Sequence, residues 1–252
     1  MKKGIKSGSA IIGLFIFMLL WQLLSWIINR EIMPSPLIVL PIFLTDLPGD
    51  LGLHLLASAG RVLSAVCVAV LTAAPLGLLM GQAPAINRIL DPLIAIIYPI
   101  PKIVLLPVIY VLIGITDLSK ILLVALIIVF QILVVVRDEA LNLRPELILS
   151  VRSLCAGRRA LLKYVYLPAS LPAVLTALRV SVGTAIAVLF IAEQSLTTWG
   201  LGYYIVVETY QVLRYPQMYS GILAMGLLGV VLFFLLSSIE RRINRHRYLD
   251  EN

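Results

Sequence analysis

Residues 158–180 read RRALLKYVYLPASLPAVLTALRV, and this stretch decides the fold because it places basic side chains directly before a long apolar run. Three basic residues open it and two prolines interrupt it: Arg158, Arg159, Lys163, Pro168 and Pro172. The apolar run that follows, 172–192, has the length of about 20 residues that a helix needs to cross a bilayer. We therefore expect a basic surface segment joined to a membrane-spanning helix.

The composition of the whole chain is that of a membrane protein. Its 252 residues are 61% hydrophobic and only 13% charged, whereas soluble domains are about 25% charged. The mean hydropathy is +1.03. Six apolar stretches are long enough to be spans: 10–28, 60–80, 90–113, 119–136, 172–192 and 218–239. We predict an all-α polytopic membrane protein with about six transmembrane helices in a single transmembrane domain, 1–252.

We expect the first apolar stretch to span the membrane and the segment after it to lie at the membrane surface. Residues 10–28 are longer than the apolar core of a secretory signal peptide, which has about 7–15 residues, so we expect a retained first span. Residues 33–57 are interrupted by several prolines and a glycine. We expect that segment to lie at the membrane surface rather than to span, because proline breaks the hydrogen bonding of a helix interior.

Lysine and arginine are unevenly distributed between the loops. Cytoplasmic loops of membrane proteins have an excess of these residues. With a cytoplasmic N-terminus, most of them fall on the cytoplasmic side: Lys2, Lys3, Lys6, Arg88, Arg137, Arg144, Arg152, Arg158, Arg159, Lys163, Arg241, Arg242, Arg245 and Arg247. The other side receives Arg30, Arg61, Lys120 and Arg214. We predict that both termini are cytoplasmic and that 137–171 is the main cytoplasmic loop.

Sequence motifs for catalysis and metal binding are absent. The chain has no G-x-x-x-x-G-K-[ST] loop for nucleotide phosphates, no H-E-x-x-H and no Cys/His cluster. Of its two histidines, His54 and His246, we expect His54 to lie at the surface. The largest polar cluster is basic and amphipathic, which suits docking better than bond-making. We predict no catalytic residue, no metal site and no cofactor on this chain.

The loop 137–171 contains two amphipathic stretches. Apolar residues of the first recur at helical spacing: Leu147, Ile148, Val151, Leu154 and Cys155. Gly157 permits a bend, and a second apolar stripe follows it: Leu161, Leu162 and Val165. Pro168 favours an extended Leu167, and Pro172 suits the first turn of the next span. We expect two short helices, a turn and a new transmembrane helix.

The basic character of this loop has two interpretations on the pattern alone. Basic residues fix membrane topology and bind anionic lipid headgroups. An amphipathic basic helix also suits the docking of a protein outside the membrane.

The segment RSLCAGRRALLKYVYLPASLPAVLTALR, residues 152–179, resembles the conserved cytoplasmic loop of ABC importer permeases. The likeness is greatest to the nitrate/sulfonate/taurine/bicarbonate-type branch of the binding-protein-dependent family. Further similar segments extend it over nearly the whole chain: MPSPLIVL (33–40), HLLASAGRVLSA (54–65), APLGLLMG (74–81), DPLIAIIYPIPKIVLLPV (91–108), GITDLSK (114–120) and AEQSLTTWGLGYYI (192–205). The resemblance implies the transmembrane subunit of an ATP-driven importer, a multi-pass protein of the bacterial inner membrane.

The resemblance also implies that the cytoplasmic loop inserts into a groove on an ATPase. In the family an E-A-A…G pattern marks the docking helix, and the pair Leu167 and Pro168 aligns that pattern with this chain. E-A-A then falls on Leu149, Ser150 and Val151, and the glycine on Cys155, so the sequence departs from the pattern at all four positions. The implied coupling residues are Leu149, Ser150, Val151, Arg152, Ser153, Leu154, Cys155, Ala156, Gly157, Arg158, Leu167 and Pro168.

The partners implied by the resemblance are two cytoplasmic ABC ATPase subunits, which would bind ATP and Mg, a second copy of the permease and an extracytoplasmic substrate-binding protein. Membrane lipid surrounds the chain, and no nucleic acid is expected. The implied substrate is a small anion such as nitrate, a sulfonate, taurine or bicarbonate. A vitamin precursor is the alternative within the same importer class. A stand-alone secondary transporter or channel is a further alternative, although no inverted repeat is visible.

Lys102 lies in the middle of the third predicted span. A lysine at the centre of a spanning helix costs about 2.5–3.5 kcal/mol and marks a functional site by default. It lines the pathway for an anion, is paired within the helix bundle, or lies near a membrane face if the third span is tilted. The candidate pathway residues are Tyr98, Lys102, Ser181, Thr184, Glu193 and Gln194. Helix packing and ordinary polarity at a helix end are the alternatives for the other five.

Overall fold

The structure is a computed structural model that describes residues 7–154, 157–194 and 197–243, and within these ranges every regular element is helical. In chain order the α-helices are α1 (Ser7–Ile28), α2 (Pro36–Asp46), α3 (Asp50–Gln82), α4 (Pro84–Ile97), α5 (Leu106–Ile113), α6 (Asp117–Leu141), α7 (Pro145–Ser153), α8 (Arg158–Leu161), α9 (Leu167–Glu193), α10 (Leu201–Tyr203) and α11 (Tyr215–Ile243). A 3₁₀ turn, Lys102–Leu105, precedes α5, and π-helical turns follow α8 and α10 at Leu162–Tyr166 and Tyr204–Tyr210. The all-α prediction is confirmed.

Four helical segments of the described chain are long and apolar enough to cross a membrane: Asp50–Gln82, Asp117–Leu141, Arg159–Glu193 and Tyr215–Ile243. Pro84–Ile97 and Lys102–Ile113 form a pair bent by 84°, which is a fifth span if the two are taken together. The first predicted span, 10–28, lies within α1, whose apolar part Ile12–Ile28 is shorter than the others. The architecture is therefore that of a multi-pass α-helical membrane protein.

The second span begins earlier than the predicted 60–80. The segment 33–57 was expected to be broken by its prolines. It instead forms α2 and the first turns of α3, and α3 as a whole is a single helix of 33 residues. Ser35 caps α2 by accepting the N–H of Leu37 at 3.2 Å. Pro36 lies in the first helical turn, where its missing N–H has no helical partner in any case. Proline thus starts a helix here rather than ending one.

The end of the cytoplasmic loop also differs from the expected turn. Leu167 was expected to be extended, but its φ of −62° and ψ of −51° are helical. The chain is one helical segment over Arg159–Glu193, with the π turn Leu162–Tyr166 inside it. Pro168, not Pro172, takes the first-turn position of α9, and Pro172 lies in the helix interior. The wider π turn has already interrupted the regular hydrogen bonding before Pro168, so the proline does not break the helix.

Residue contacts divide the chain into two compact units. One contains the described residues within Met1–Ala57 and Thr198–Gly226, and the other those within Ser58–Thr197 and Leu227–Asn252. In the second unit α6 and α9 form the main helix pair. Large apolar side chains buried on these two helices are Leu123, Ile128, Ile132, Val182 and Leu189.

The first unit has its own buried aromatic contacts. The indole N–H of Trp21 donates to the carbonyl oxygen of Pro34 at 3.1 Å, and its ring stacks on Tyr219 with centroids 5.6 Å apart. His54 is only 2% exposed, so the prediction that it lies at the surface is wrong. The helical pattern around His54 gave no sign of the aromatic side chains that cover it, because they come from a distant segment of the chain.

Helices α3 and α6 approach each other closely at two glycines. A Cβ atom at Gly77 would lie 3.0 Å from the Cβ of Val136, and one at Gly81 would lie 3.2 Å from the Cα of Ala140. Both distances are shorter than a relaxed contact between carbon atoms. Small residues permit such close backbone approach in membrane helix pairs, and here they set the α3–α6 spacing.

We expect Gly81→Val to lower the melting temperature of the purified protein in detergent, because overpacking a close contact costs about 1–3 kcal/mol. Gly60→Val is the matched control: Gly60 lies in the same helix, and a Cβ there would meet nothing within 4 Å. Equal melting temperatures of the two variants would show that the close approach at Gly81 is not a constraint.

Candidate functional site

Lys102 lies at the break of the bent span, where it is only 8% exposed. Its ammonium group donates to the carbonyl oxygens of Tyr98 at 3.0 Å, Ile97 at 3.1 Å and Ile100 at 3.4 Å. The same nitrogen lies 4.5 Å from the ring centroid of Phe130, the geometry of a cation–π contact. The three donors of the ammonium group are therefore matched by three backbone acceptors.

The prolines beside Lys102 explain why these carbonyls need a side-chain donor. In a continuing α-helix the carbonyl of Ile97 would accept the N–H of residue 101, but Pro101 has none. It accepts instead the N–H of Ile100 at 3.2 Å, in a tighter turn. An unsatisfied carbonyl in the hydrocarbon region costs several kcal/mol. Lys102 adds a side-chain donor to the carbonyls at the break, which is the geometry of a lysine paired within the bundle. That it also lines the pathway stays a prediction.

A second polar cluster lies where α9 ends. Glu193 is fully buried, and its carboxylate accepts hydrogen bonds from Ser58 Oγ at 2.8 and 2.9 Å and from Arg61 Nη1 at 2.5 Å. Arg61 also donates to Asp117, from Nε at 2.9 Å and from Nη2 at 2.6 Å. One buried guanidinium group thus ties α3 to both α6 and α9.

The cluster extends further along α6 and α5. The buried Lys120 donates to Thr197 Oγ1 at 2.9 Å and lies 3.9 Å from Asp117. The hydroxyl of Tyr110 donates to the carbonyl oxygen of Ala192 at 2.8 Å. Together these bonds join four helices by polar contacts: α3, α5, α6 and α9.

This cluster was not predicted from the sequence, which placed Arg61 and Lys120 on the extracytoplasmic side. A local signal was present: Ser58 and Arg61, and likewise Asp117 and Lys120, are three residues apart, so each pair shares one helix face. This spacing could not show that the two helix faces, one on α3 and one on α6, both turn toward Glu193 of α9.

The remaining candidate pathway residues lie apart from one another. Tyr98 is half exposed and lines a cavity of about 220 Å³ between α4 and α6. Ser181 is buried, and Thr184, one turn later on α9, accepts from Gln131 Nε2 at 3.4 Å. Gln194 is half buried at the end of α9. The structure does not gather the six predicted residues in one cavity, and their pathway role stays a prediction.

A further, partly buried ion pair joins α9 to α11. Arg179 Nη1 lies 2.9 Å from Glu240 Oε2, and Thr176 Oγ1 donates to the other carboxylate oxygen at 2.9 Å. Arg137 forms a third set of pairs, with Asp91 and Asp138, at the end of α6. Each of these arginines has a carboxylate partner.

The predicted coupling residues lie on α7 and at the start of the next helix. Leu149, Ser150, Val151, Arg152 and Ser153 belong to α7, which has no buried residue. Leu149 is 62% exposed and Leu154, just after the helix, is 80% exposed. Of the other coupling residues, Cys155 and Ala156 lie outside the described residues. Gly157 precedes α8 and Arg158 begins it. Leu167 and Pro168 are exposed at the start of α9.

Two leucines of α7, Leu147 and Leu149, are therefore exposed, whereas Ile148 and Val151 are half-buried. Glu146 in its first turn and Arg152 in its last turn have the charges that complement the helix dipole, so the helix is stabilised locally. An exposed apolar helix with its own stabilising ends is suited to bind a partner.

A sequence model of the family described as binding-protein-dependent transport system inner membrane component matches residues 73–247. The taurine transport system permease protein TauC of Escherichia coli (strain K12) is 33% identical over 190 residues, which are 75% of this chain and 69% of that protein. The nitrate import permease protein NrtB of Synechococcus elongatus is 25% identical over 251 residues, which are 93% of this chain and 88% of that protein.

A solved structure of inward-facing conformations of the MetNI methionine ABC transporter matches with a TM-score of 0.66, covering 77% of this chain and 96% of that one. Its sequence identity is 18%, so the likeness shows the fold alone.

We expect Lys102→Met to lower the melting temperature in detergent, because methionine has a similar length but cannot donate to the carbonyls at the break. Leaving a buried acceptor without its partner costs about 1–3 kcal/mol. Lys102→Arg is the matched control, since guanidinium N–H groups can replace the ammonium donors. A Lys102→Met protein as stable as the Lys102→Arg protein would contradict this account of the break.

Proposed function

We propose that this chain, which belongs to the family of binding-protein-dependent transport system inner membrane components, forms the translocation path of an ATP-driven importer for a small anion. The family assigns it to the inner membrane as the permease subunit of an ABC importer. What we propose beyond the family is the substrate class, the manner of docking and the composition of the assembly.

The anionic substrate class is supported by the relatives and by Lys102. The relatives named above are permeases for taurine, which contains a sulfonate group, and for nitrate. Among the buried cations described here, Arg61 and Lys120 each lie within 4 Å of a carboxylate. Lys102 is bonded instead to neutral carbonyl oxygens. Its positive charge is therefore not cancelled locally, and in a low-dielectric span it favours an anion over a cation.

The observation that most supports the coupling role is the unburied helix α7. Its exposed leucine Leu149 stands where the family pattern has its acidic residue, and Leu154 follows it on the exposed side. Arg152 and Lys163 are also exposed nearby. We propose that α7 binds the ATPase through apolar contacts surrounded by basic residues, rather than through an acidic side chain.

The energy source belongs to the partner in this proposal. The chain has no phosphate-binding motif, so ATP and Mg would bind to two cytoplasmic ATPase subunits. A second copy of the permease and an extracytoplasmic substrate-binding protein would complete the assembly. The excess of lysine and arginine supports a topology in which both termini and α7 are cytoplasmic. ATP binding would then move the permease between inward-facing and outward-facing states that differ in their contacts.

The proposal is tested by purifying the tagged chain from its native host and identifying the bound proteins. We expect an ATPase subunit in roughly equal amount, and ATP-dependent uptake of taurine or nitrate when the complex and its binding protein are reconstituted in vesicles. Leu149→Glu should abolish ATPase binding at an unchanged membrane level, because it places a charge in an apolar contact. Leu149→Met is the matched control and should retain the ATPase.

Two results would contradict the proposal. A preparation without any nucleotide-binding subunit, reproduced after cross-linking, would show that α7 does not dock an ATPase. Uptake that proceeds without ATP would favour the stand-alone secondary transporter or channel.

A further inference from the structure

The buried His54 uses both of its ring nitrogens. Nδ1 accepts the backbone N–H of Gly200 at 3.0 Å, and Nε2 lies 3.2 Å from a carboxylate oxygen of Glu208. A backbone N–H can only donate, so Nδ1 is unprotonated and Nε2 has the ring hydrogen, which it donates to Glu208. The surrounding groups therefore determine which tautomer of the imidazole is present.

The hydrogen bond to Gly200 holds an unusual turn. Gly200 is buried and has a φ of +124°, a conformation open to glycine and strained for other residues. Its carbonyl oxygen accepts the N–H of Tyr204 at 3.0 Å, the bond that begins α10. Without His54 Nδ1 the N–H of Gly200 would be a buried donor without this acceptor, at a cost of about 1–3 kcal/mol.

Aromatic rings enclose the imidazole. The ring centroids of Trp199, Tyr204 and Tyr203 lie 5.0, 5.4 and 6.1 Å from that of His54. Trp199 belongs to the same turn as Gly200, so its indole ring reports directly on the position of the turn.

The charged groups near His54 are acidic. Besides Glu208, the carboxylates of Asp46 and Asp50 lie near enough to the neighbouring Tyr204 to act on its pKa. Burial and the charge of Asp46 raise the pKa of Tyr204 well above its ordinary value. Tyr204 therefore stays protonated. Histidine is the side chain here that gains a proton in mildly acidic solution.

We propose that His54 is a positioning residue that holds the turn at Trp199 and Gly200 only in its neutral form, so that acidification releases the turn. Protonation places a hydrogen on Nδ1, where it faces the N–H of Gly200, and two donors cannot share this bond. The bond to Glu208 is kept, because a carboxylate stabilises the imidazolium. The ring therefore stays on Glu208 while the turn moves away. This change is confined to the segment between α9 and α11 and does not depend on which substrate is transported.

The turn can be followed by ¹⁹F NMR of the full chain labelled with 5-fluorotryptophan. The chain has three tryptophans, and Trp199→Phe assigns the signal of interest. We expect the Trp199 signal to shift in a single transition between about pH 8 and about pH 5. The signals of Trp21 and Trp26 serve as internal controls, and we expect them to stay in place.

Two variants at position 54 separate the functions of the nitrogens. Asparagine places its amide oxygen near the Nδ1 position and cannot titrate, so His54→Asn should keep the turn and lose the pH transition. Glutamine instead places its N–H₂ near Nε2, so His54→Gln should keep the contact with Glu208 and lose the acceptor. We expect the Gly200 amide to exchange with deuterium at least about tenfold faster in His54→Gln than in His54→Asn.

Glu208→Gln should move the transition of the otherwise native chain to lower pH, because the imidazolium loses its counter-charge. A Trp199 signal that does not change with pH, an unchanged transition in His54→Asn, or equal exchange of Gly200 in the two variants would each overturn the proposal. The experiment uses no substrate and no ATPase, so its failure would leave the proposed function standing.

Discussion

A polar group inside a membrane-spanning helix must find its partner within the protein, since the lipid core offers none. The buried cluster around Glu193 meets this requirement with Ser58 and Arg61, and Arg61 reaches on to Asp117. These directional bonds join α3, α6 and α9, helices whose apolar surfaces alone would pack against lipid almost as well as against one another. The cluster therefore fixes which helix ends meet.

Helix α7, in the loop predicted to be cytoplasmic, is organised in the opposite way. Within the described spans the buried Arg61 is satisfied by carboxylates, the buried Lys102 by backbone carbonyls and the half-buried Arg179 by Glu240. Helix α7 has no fully buried residue and exposes Leu149. Its exposed apolar side chains are therefore available for contacts outside the chain, as the proposed docking requires.

The sequence predicted the helical class and most spans because hydrophobic length is a local property. It missed the start of α3 and the helical path through Pro168, because proline was taken as a helix breaker at positions where a first turn or a π turn tolerates it. It singled out Lys102 as unusual, and the missing N–H of Pro101 could have suggested the carbonyl partners. The pair Arg61 and Glu193 could not be found, since 132 residues separate them and neither helix pattern shows its partner.

The claim that the Arg61–Glu193 bond fixes the helix ends is tested most directly by a double-mutant cycle. The free energy of unfolding in detergent would be measured for Arg61→Met, Glu193→Leu and the double variant. Removing one partner of a buried pair costs about 3–5 kcal/mol, and Arg61→Met should cost more, because Arg61 keeps Asp117 when Glu193 is lost. The account predicts that the double variant is at least about 1 kcal/mol more stable than the sum of the single losses implies. If the loss of unfolding free energy in the double variant equalled the sum of the losses in the two single variants, the claim would be contradicted.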